Sequence, residues 1–272
     1  MRLPRPSQSR LGRERSILAM TEGVPSVTFT AMADVPLFFY PGKLAEGQTA
    51  PLLEDTAKHI GQVLRMQAGE AIQLTDGKGM LGHCRLSKAE KRRVEVMVEK
   101  LEELPQAEPA LQLAIAFTKN AARNEWLLEK STELGIRRIT PLITERSVKE
   151  RIRPERWNAI LTSAMLQSKQ CWLPQLDHPT SLAEILSTKD TSIFIAHCME
   201  GSPRTPVFEA LKKGQNVVMM IGPEGDFSPA ELTLAIAAGA LPVSFGTNRL
   251  RTETAALAAI THFYLLNHAS AD

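Results

Sequence analysis

The sequence predicts an α/β fold: a mostly parallel sheet with helices on both faces, preceded by a small β-rich domain. From about residue 110 onward, buried apolar runs alternate with segments of helical periodicity, the pattern of a parallel sheet covered by helices. Before residue 104, the apolar runs are short and separated by turn residues, as in small β domains. A chain of 272 residues is long enough for about two domains.

The composition changes at two places along the chain. Residues 1–33 hold five arginines among prolines and serines, and their apolar patch at residues 17–20 is shorter than the ~7–15 residues of a signal-peptide core. Pro105 and Pro109 mark a linker. We therefore expect a flexible tail over residues 1–33, with Met32 as a candidate start. The expected domains cover residues 34–104 and 110–272.

The small domain is expected to be a compact barrel. Between Val94 and Val98, valine recurs with the period of two that strands require. Asp76-Gly77 is a hairpin signal, and Ile60, Val63 and Leu64 have helical spacing. The expected strands cover residues 37–40, 71–75, 80–86 and 94–98, and the expected helix covers residues 57–66.

The larger domain is expected to alternate strands and helices to its end. Asn120 and Ser228 are suited to begin helices, and Gly135 and Gly239 are suited to end them. The expected strands cover residues 111–117, 139–144, 192–196, 216–221 and 241–245. The expected helices cover residues 120–135, a segment that begins at 154, residues 228–239 and a final amphipathic segment at 252–267.

Composition narrows the function classes. Three widely spaced cysteines do not indicate a disulfide framework and fit a reducing compartment such as the cytoplasm. No apolar run approaches the ~18 residues of a transmembrane helix, so no membrane partner is expected. The net charge is only +2, but between residues 137 and 156 seven Arg and Lys face three Glu. This stretch is either a phosphate-binding surface or an ordinary solvated one.

One glycine motif matches a dinucleotide-binding fingerprint without the structural context that the fingerprint needs. Gly77, Gly79 and Gly82 match the dinucleotide-binding fingerprint, but that fingerprint works only where a helix follows and here a strand follows. A hairpin turn is the better interpretation. The sequence also lacks a P-loop lysine pattern, a zinc-protease motif and a serine-hydrolase elbow, and its His and Cys are too sparse for a structural zinc site. We expect no metal.

Two C-terminal loops carry the functional signal. Residues 222–228 form a Gly/Pro-rich turn between an expected strand and helix, and residues 245–255 repeat that design about twenty residues later. Ligands of open α/β sheets bind beyond such strand ends. Taken alone, each loop is a plain turn followed by a helix start. Together they predict one binding site.

The chain resembles a known family at these loops. The residues that carry the resemblance are Ile221 to Gly225, Ser228 with Glu231, Leu250 to Ala255 and Glu129 to Gly135. They are similar to the uracil-N3 methyltransferases of 16S ribosomal RNA in the SPOUT superfamily. Lys58 to Arg65 and Asp76 to Gly79 are similar to that family's PUA-like RNA-binding module. The resemblance covers residues 36–268.

The resemblance implies a deep trefoil knot, a homodimer packed through it and the cofactor S-adenosylmethionine held by three loops. It implies methylation of a uridine in 16S rRNA on the 30S subunit, in the cytoplasm. Two alternatives remain: another RNA substrate such as tRNA, and a non-catalytic RNA-binding assembly factor. The implied cofactor-binding residues are Ala196, His197, Ile221, Gly222, Pro223, Gly225, Phe245, Gly246, Leu250, Thr252 and Ala255.

Methylation of uracil at N3 requires loss of the N3 proton and stabilisation of the negative charge that develops on the base. Arg251 is the candidate for stabilising that charge, and Glu224 or Glu253 is the candidate base, with orientation of Arg251 favoured for Glu253. Gln167 aligns with a polar position facing the family's active site. Uracil N3 lies on the pairing edge, so the target base must be unpaired or flipped out.

The expected RNA contacts are basic residues at three places. They are Lys119 and Arg123 after the first strand of the large domain, Arg146, and Arg65 in the PUA-like segment. Ordinary surface charge is the alternative for each. The chain also departs from the family, which has a second glycine at Asp226, Gly and Arg at Lys169 and Gln170, and Arg at Asn248.

Overall fold

The computed structural model describes residues 35–90, 93–147 and 153–268. The predicted tail over residues 1–33 lies outside these residues. The described part includes two sheets within the unit that begins at Val35. The division into separate domains at residues 104–110 stays a prediction. No helix in the described part is long and apolar enough to cross a membrane.

The first sheet has five strands among the described residues, in the order β1-β3-β4-β5-β2. Side chains from both edge strands, Phe38 and Ala50, enter the same buried cluster as Ile60, Leu74 and Val96, so the sheet curls around its core as the barrel prediction requires. The strands are β1 (Leu37–Phe39), β2 (Thr49–Pro51), β3 (Ala71–Thr75), β4 (Met80–Ala89) and β5 (Val94–Glu103).

The glycine motif of Gly77, Gly79 and Gly82 lies in the predicted hairpin. Strands β3 and β4 are antiparallel, with Thr75 opposite Leu81. The Asp76 carboxylate accepts hydrogen bonds from the amides of Lys78 and Met80 at 2.7 and 3.1 Å, which closes the turn. The predicted helix at 57–66 begins earlier than expected, as α1 (Glu54–Lys58), and continues as a π-helical segment (His59–Leu64).

The second sheet is parallel, in the order β11-β13-β10-β12-β6-β7-β8, with β9 paired to β7 in the described part. The predicted strands match within one or two residues, whereas three two-residue strands were not predicted. The strands are β6 (Leu111–Ile115), β7 (Arg138–Ile143), β8 (Gln175–Leu176), β9 (Thr180–Ser181), β10 (Ser192–Ala196), β11 (Thr205–Pro206), β12 (Val217–Ile221) and β13 (Leu241–Ser244).

Helices cover both faces of this sheet. Met219 of β12 packs on one face with side chains of α2, α3 and α7, while Met220 packs on the other face with side chains of α4 and α6. The predicted α/β class is therefore confirmed. The helices are α2 (Ala121–Glu133), α3 (Pro154–Gln167), α4 (Leu182–Leu186), α5 (Val207–Ala210), α6 (Pro229–Ala237) and α7 (Thr252–Asn267).

Local signals set the helix ends. The Asn120 side chain accepts a hydrogen bond from the Arg123 amide, and Ser228 with Glu231 forms a complete capping box. The prediction that α7 is amphipathic was wrong. Ile260 and Phe263 are buried, but Tyr264 and Leu265 on its outer side are apolar and exposed. Its outer side therefore mixes apolar and polar side chains over the last two turns.

Candidate active site

The site lies at the C-terminal edge of the parallel sheet. Ala196, the last residue of β10, is in register with Ile221 of β12 and Val243 of β13. Because these three strands are parallel and end together, the loops that follow them begin side by side. This register brings together the three segments that the sequence analysis assigned to one ligand.

These loops line a cavity with a volume of about 480 Å³. Nine of the eleven predicted cofactor-binding residues line it, and so does Glu224. The volume falls within the roughly 300–1,000 Å³ typical of small-molecule sites. The nine residues are Ala196, His197, Ile221, Pro223, Phe245, Gly246, Leu250, Thr252 and Ala255.

The two remaining residues support the cavity wall through their backbone. The Gly222 carbonyl accepts a hydrogen bond from the buried Thr252 hydroxyl at 3.2 Å, and the Gly225 carbonyl accepts one from Arg146 Nη1 at 2.8 Å. A Cβ atom at Gly222 would lie 3.0 Å from the buried Phe227 ring. A side chain at position 222 would press against this ring, which favours glycine there.

Asp226 ties two of the loops together. Its carboxylate Oδ2 accepts a hydrogen bond from the Cys198 amide at 2.7 Å, and its Oδ1 accepts one from the Phe227 amide at 2.8 Å. Its backbone is left-handed, with φ of 61°. This aspartate stands where the family resemblance has a glycine, and its side chain supplies acceptors that a glycine lacks.

His197 is buried in the wall of the cavity. Its Nδ1 accepts a hydrogen bond from the Met199 amide at 3.2 Å, and its carbonyl accepts one from Arg204 Nη1 at 2.9 Å. Burial lowers the pKa of the imidazole, with Arg204 acting in the same direction and Asp226 opposing it. The ring is therefore favoured in its neutral form, with its proton on Nε2. Among the described residues, Nε2 is buried without a hydrogen-bond partner.

Two predicted catalytic residues lie at the start of α7: Arg251 is the N-cap residue and Glu253 lies in the first turn. Arg251 is exposed at the helix start and forms no ion pair with a described residue. The Glu253 side chain is 10% exposed, and its Oε1 lies 3.5 Å from Arg123 Nε. Its other oxygen, Oε2, is buried without a hydrogen-bond partner in the described part of the chain. Glu253 is therefore paired with Arg123, and its role in orienting Arg251 stays a prediction.

Comparison with known proteins assigns the chain and its fold to a family. The RNA methyltransferase domain family matches residues 105–263, and the RNA methyltransferase PUA domain family matches residues 52–99. A ribosomal RNA small subunit methyltransferase E of a Synechocystis strain is 30% identical over 80% of this chain and 73% of its own length. This chain belongs to the ribosomal RNA small subunit methyltransferase E family.

Solved structures agree with this assignment. A probable rRNA methyltransferase from Porphyromonas gingivalis is 37% identical and has a TM-score of 0.80, covering 85% of this chain and 98% of its own. The Neisseria gonorrhoeae ribosomal RNA small subunit methyltransferase E, bound to S-adenosyl methionine, is 32% identical with a TM-score of 0.70, covering 84% and 95%. The predictions of an RNA methyltransferase and of a PUA-like module are confirmed.

The structure of this methyltransferase separates Gln167 from the three loops. Gln167 is exposed at the end of α3 and lines a different cavity, with Lys130, Glu133 and Ser163. That cavity lies between the outer surfaces of α2 and α3. A catalytic role for Gln167 stays a prediction, and within the described chain it is not brought to the cavity at the strand ends.

The four predicted RNA contacts have different environments. Lys119 is exposed beside α2, while Arg123 is held by Glu253. Arg146 braces the loop after β12, since its guanidinium donates to the Gly225 carbonyl and also lies 3.4 Å from the Phe227 carbonyl. Arg65 is exposed at the end of the π-helical segment in the PUA-like part. Their roles in RNA binding stay predictions.

Sequence reasoning missed Arg204 and Arg249, which both line the cavity of the methyltransferase. Arg204 follows β10 in a loop without a recognisable motif, and Arg249 is the residue before the Leu250 to Ala255 string. The only signal for either was proximity to an expected strand end. In the described residues, no group of three or more His, Cys, Asp or Glu side chains is arranged to hold a metal ion.

Proposed function

We propose that this methyltransferase transfers the methyl group of S-adenosylmethionine to N3 of a uridine in 16S rRNA on the 30S subunit, in the cytoplasm. The observation that carries the proposal is the cavity formed by the loops after β10, β12 and β13. It occurs in a chain of the ribosomal RNA small subunit methyltransferase E family. The uracil-N3 and 30S assignments rest on the family resemblance at Leu250 to Ala255.

The residues around the cavity fit S-adenosylmethionine. The cofactor supplies an electrophilic methyl group on a sulfonium, which needs no metal. His197 offers a buried Nε2–H donor without a partner in the described chain. Pro223, Gly246 and Leu250 line the cavity with small or apolar groups, which suits close contact with an adenine ring.

We assign the proton acceptor to Glu224. Methylation at N3 requires a group that can reach the base and take its imide proton. Glu224 is exposed and lines the cavity, so its carboxylate is free to meet a base brought against the methyl donor. Glu253 is buried and paired with Arg123, which suits a positioning role.

We assign stabilisation of the base to the arginines around the first turn of α7. Arg251 is exposed there, and Arg123 is held nearby by Glu253. A positive charge placed before reaction stabilises the negative charge that develops on the uracil oxygens when N3 loses its proton. The same guanidinium groups suit phosphates of the RNA chain.

A second copy of the chain is the proposed partner. The outer side of α7 exposes Tyr264 and Leu265, and α5 exposes Phe208. Exposed apolar side chains of this kind are typical of protein interfaces. The family resemblance implies a homodimer through the predicted knot, and light scattering of the purified protein tests it: a mass of twice the chain supports the homodimer and a monomer contradicts it.

The test of the proposed function uses 30S subunits from cells that lack this methyltransferase. Labelled methyl groups from S-adenosylmethionine should appear in 16S rRNA, and mapping should place them on N3 of a uridine. Transfer to tRNA instead would favour the alternative RNA substrate. An assembly factor without catalysis would show no transfer, and Arg251→Ala would then leave its cellular function intact.

A further inference from the structure

We infer that Asp226 is a positioning residue that joins two walls of the cofactor cavity before the cofactor binds. The inference rests on the proposed function, because it treats the cavity as the cofactor site. Cys198 follows β10 and Asp226 follows β12, so the hydrogen bond between them spans two loops that are 28 residues apart in sequence. Both residues line the cavity.

The geometry at Asp226 favours this role over that of a simple turn residue. A left-handed backbone is strained for a residue with a side chain, and glycine adopts it without that strain. At Asp226 this strain is offset, because both carboxylate oxygens accept hydrogen bonds from backbone amides. Such charge-assisted hydrogen bonds are stronger than those between neutral groups.

The hydrogen bond to Asp226 joins the loop after β10 to the loop after β12. Met199 also packs against the core near α4 and α6, but the loop's other described side-chain hydrogen bonds are internal: Met199 donates to His197 Nδ1, and Arg204 donates to the His197 carbonyl. These bonds shape the loop but do not fix it to a neighbour. The bond from Cys198 to Asp226 attaches the loop to the segment that carries Glu224, so it sets the width of the cavity at that point.

A preformed cavity binds its ligand more tightly, because less conformational entropy is lost on binding. Removal of the hydrogen bond between Cys198 and Asp226 should therefore weaken cofactor binding and leave the rate of the chemical step nearly unchanged. This expectation separates a positioning residue from a catalytic one. It also predicts that a glycine, which relieves the backbone strain, does not improve function.

The experiment compares Asp226→Gly, which removes both acceptors, with Asp226→Asn, which tolerates the left-handed backbone and keeps one acceptor. Amide hydrogen exchange at Cys198 is measured in the cofactor-free protein. We expect exchange to be fastest in the glycine variant, intermediate in the asparagine variant and slowest in the wild type. Equal protection in all three proteins would overturn the inference.

Cofactor binding is the second readout. The Kd for S-adenosylmethionine should rise by about tenfold in Asp226→Gly and by less in Asp226→Asn, while kcat at saturating cofactor stays within about twofold. An unchanged Kd in the glycine variant, or a loss confined to kcat, would overturn the inference. If the wild type bound no S-adenosylmethionine, the proposed function would fail. Amide hydrogen exchange at Cys198 would still show whether the hydrogen bond from Cys198 to Asp226 forms in the cofactor-free protein.

Discussion

The Arg123 guanidinium and the Glu253 carboxylate form an ion pair between the first turns of α2 and α7, with 3.5 Å between Nε and Oε1. The pair joins a predicted RNA contact to a predicted catalytic residue. The ion pair stabilises the charge of Glu253, because a carboxylate that is nearly buried is costly without a partner. It also fixes the direction of an arginine that is 37% exposed.

Glu253→Gln should lower kcat by about tenfold, which corresponds to roughly 1.4 kcal/mol of transition-state stabilisation. The neutral side chain no longer holds Arg123, while the loops that line the cavity are unchanged. The Kd for S-adenosylmethionine should therefore stay near that of the wild type. The measurement is steady-state methyl transfer together with calorimetric cofactor binding.

The matched control for that variant is Glu125→Gln. Glu125 lies on α2, the helix that carries Arg123, and pairs with Arg156. Its replacement also removes one negative charge near Arg123, so it tests for a general electrostatic effect. Equal losses of kcat in the two variants would contradict a specific role for the Arg123–Glu253 pair.

Glu224→Gln should reduce kcat by about 100-fold or more, in the range of a lost general base. The amide cannot accept the uracil N3 proton, but the loop from Gly222 to Ser228 keeps its conformation. Single-turnover methyl transfer with 30S subunits measures the chemical step. Glu200→Gln is the control, because Glu200 also lines the cavity but lies on a different loop. Activity of the Glu224 variant near that of the control would exclude Glu224 as the base.

Thr252→Val should destabilise the protein by roughly 1 kcal/mol, the usual net contribution of a buried hydrogen bond. The substitution preserves the shape of the side chain but removes the hydroxyl that donates to the Gly222 carbonyl. Urea unfolding gives the free energy of unfolding. Thr254→Val, at an exposed position of the same helix turn, is the control and should have a smaller effect. The reverse order would show that the Thr252–Gly222 bond does not stabilise the fold.

His197 should make the protein less stable as the pH falls below about 6.5, the ordinary pKa of histidine. Burial lowers the pKa of His197 in the folded chain, so between the two pKa values the unfolded chain binds more protons. The free energy of unfolding therefore decreases as the pH drops through this window. His197→Asn, which retains an acceptor near the Nδ1 position, should reduce this dependence. An identical pH dependence in both proteins would contradict the assignment.

Local sequence signals were sufficient for most of the fold. Asn120, Gly135, Ser228 and Glu231 act within a few residues of themselves, so their caps and turns were predicted correctly. The register of Ala196 with Ile221 follows from parallel strands that end together. The cavity was therefore predictable once the strand ends had been identified.

Long-range pairings were not predictable in this way. Glu253 pairs with Arg123, 130 positions earlier in the chain, and neither residue carries a local signal that names its partner. The same holds for Asp226 with Cys198 and for Arg146 with Gly225. Gln167 was assigned by family resemblance alone, and in the structure it lines a different cavity.

Mapping the methyl group in 16S rRNA after reaction with S-adenosylmethionine tests the proposed function. The substrate is the 30S subunit from cells that lack this methyltransferase. We expect incorporation at N3 of one uridine, with loss of that product in Glu224→Gln. Incorporation at a carbon, at a ribose oxygen or at another base would contradict it, as would a complete absence of transfer.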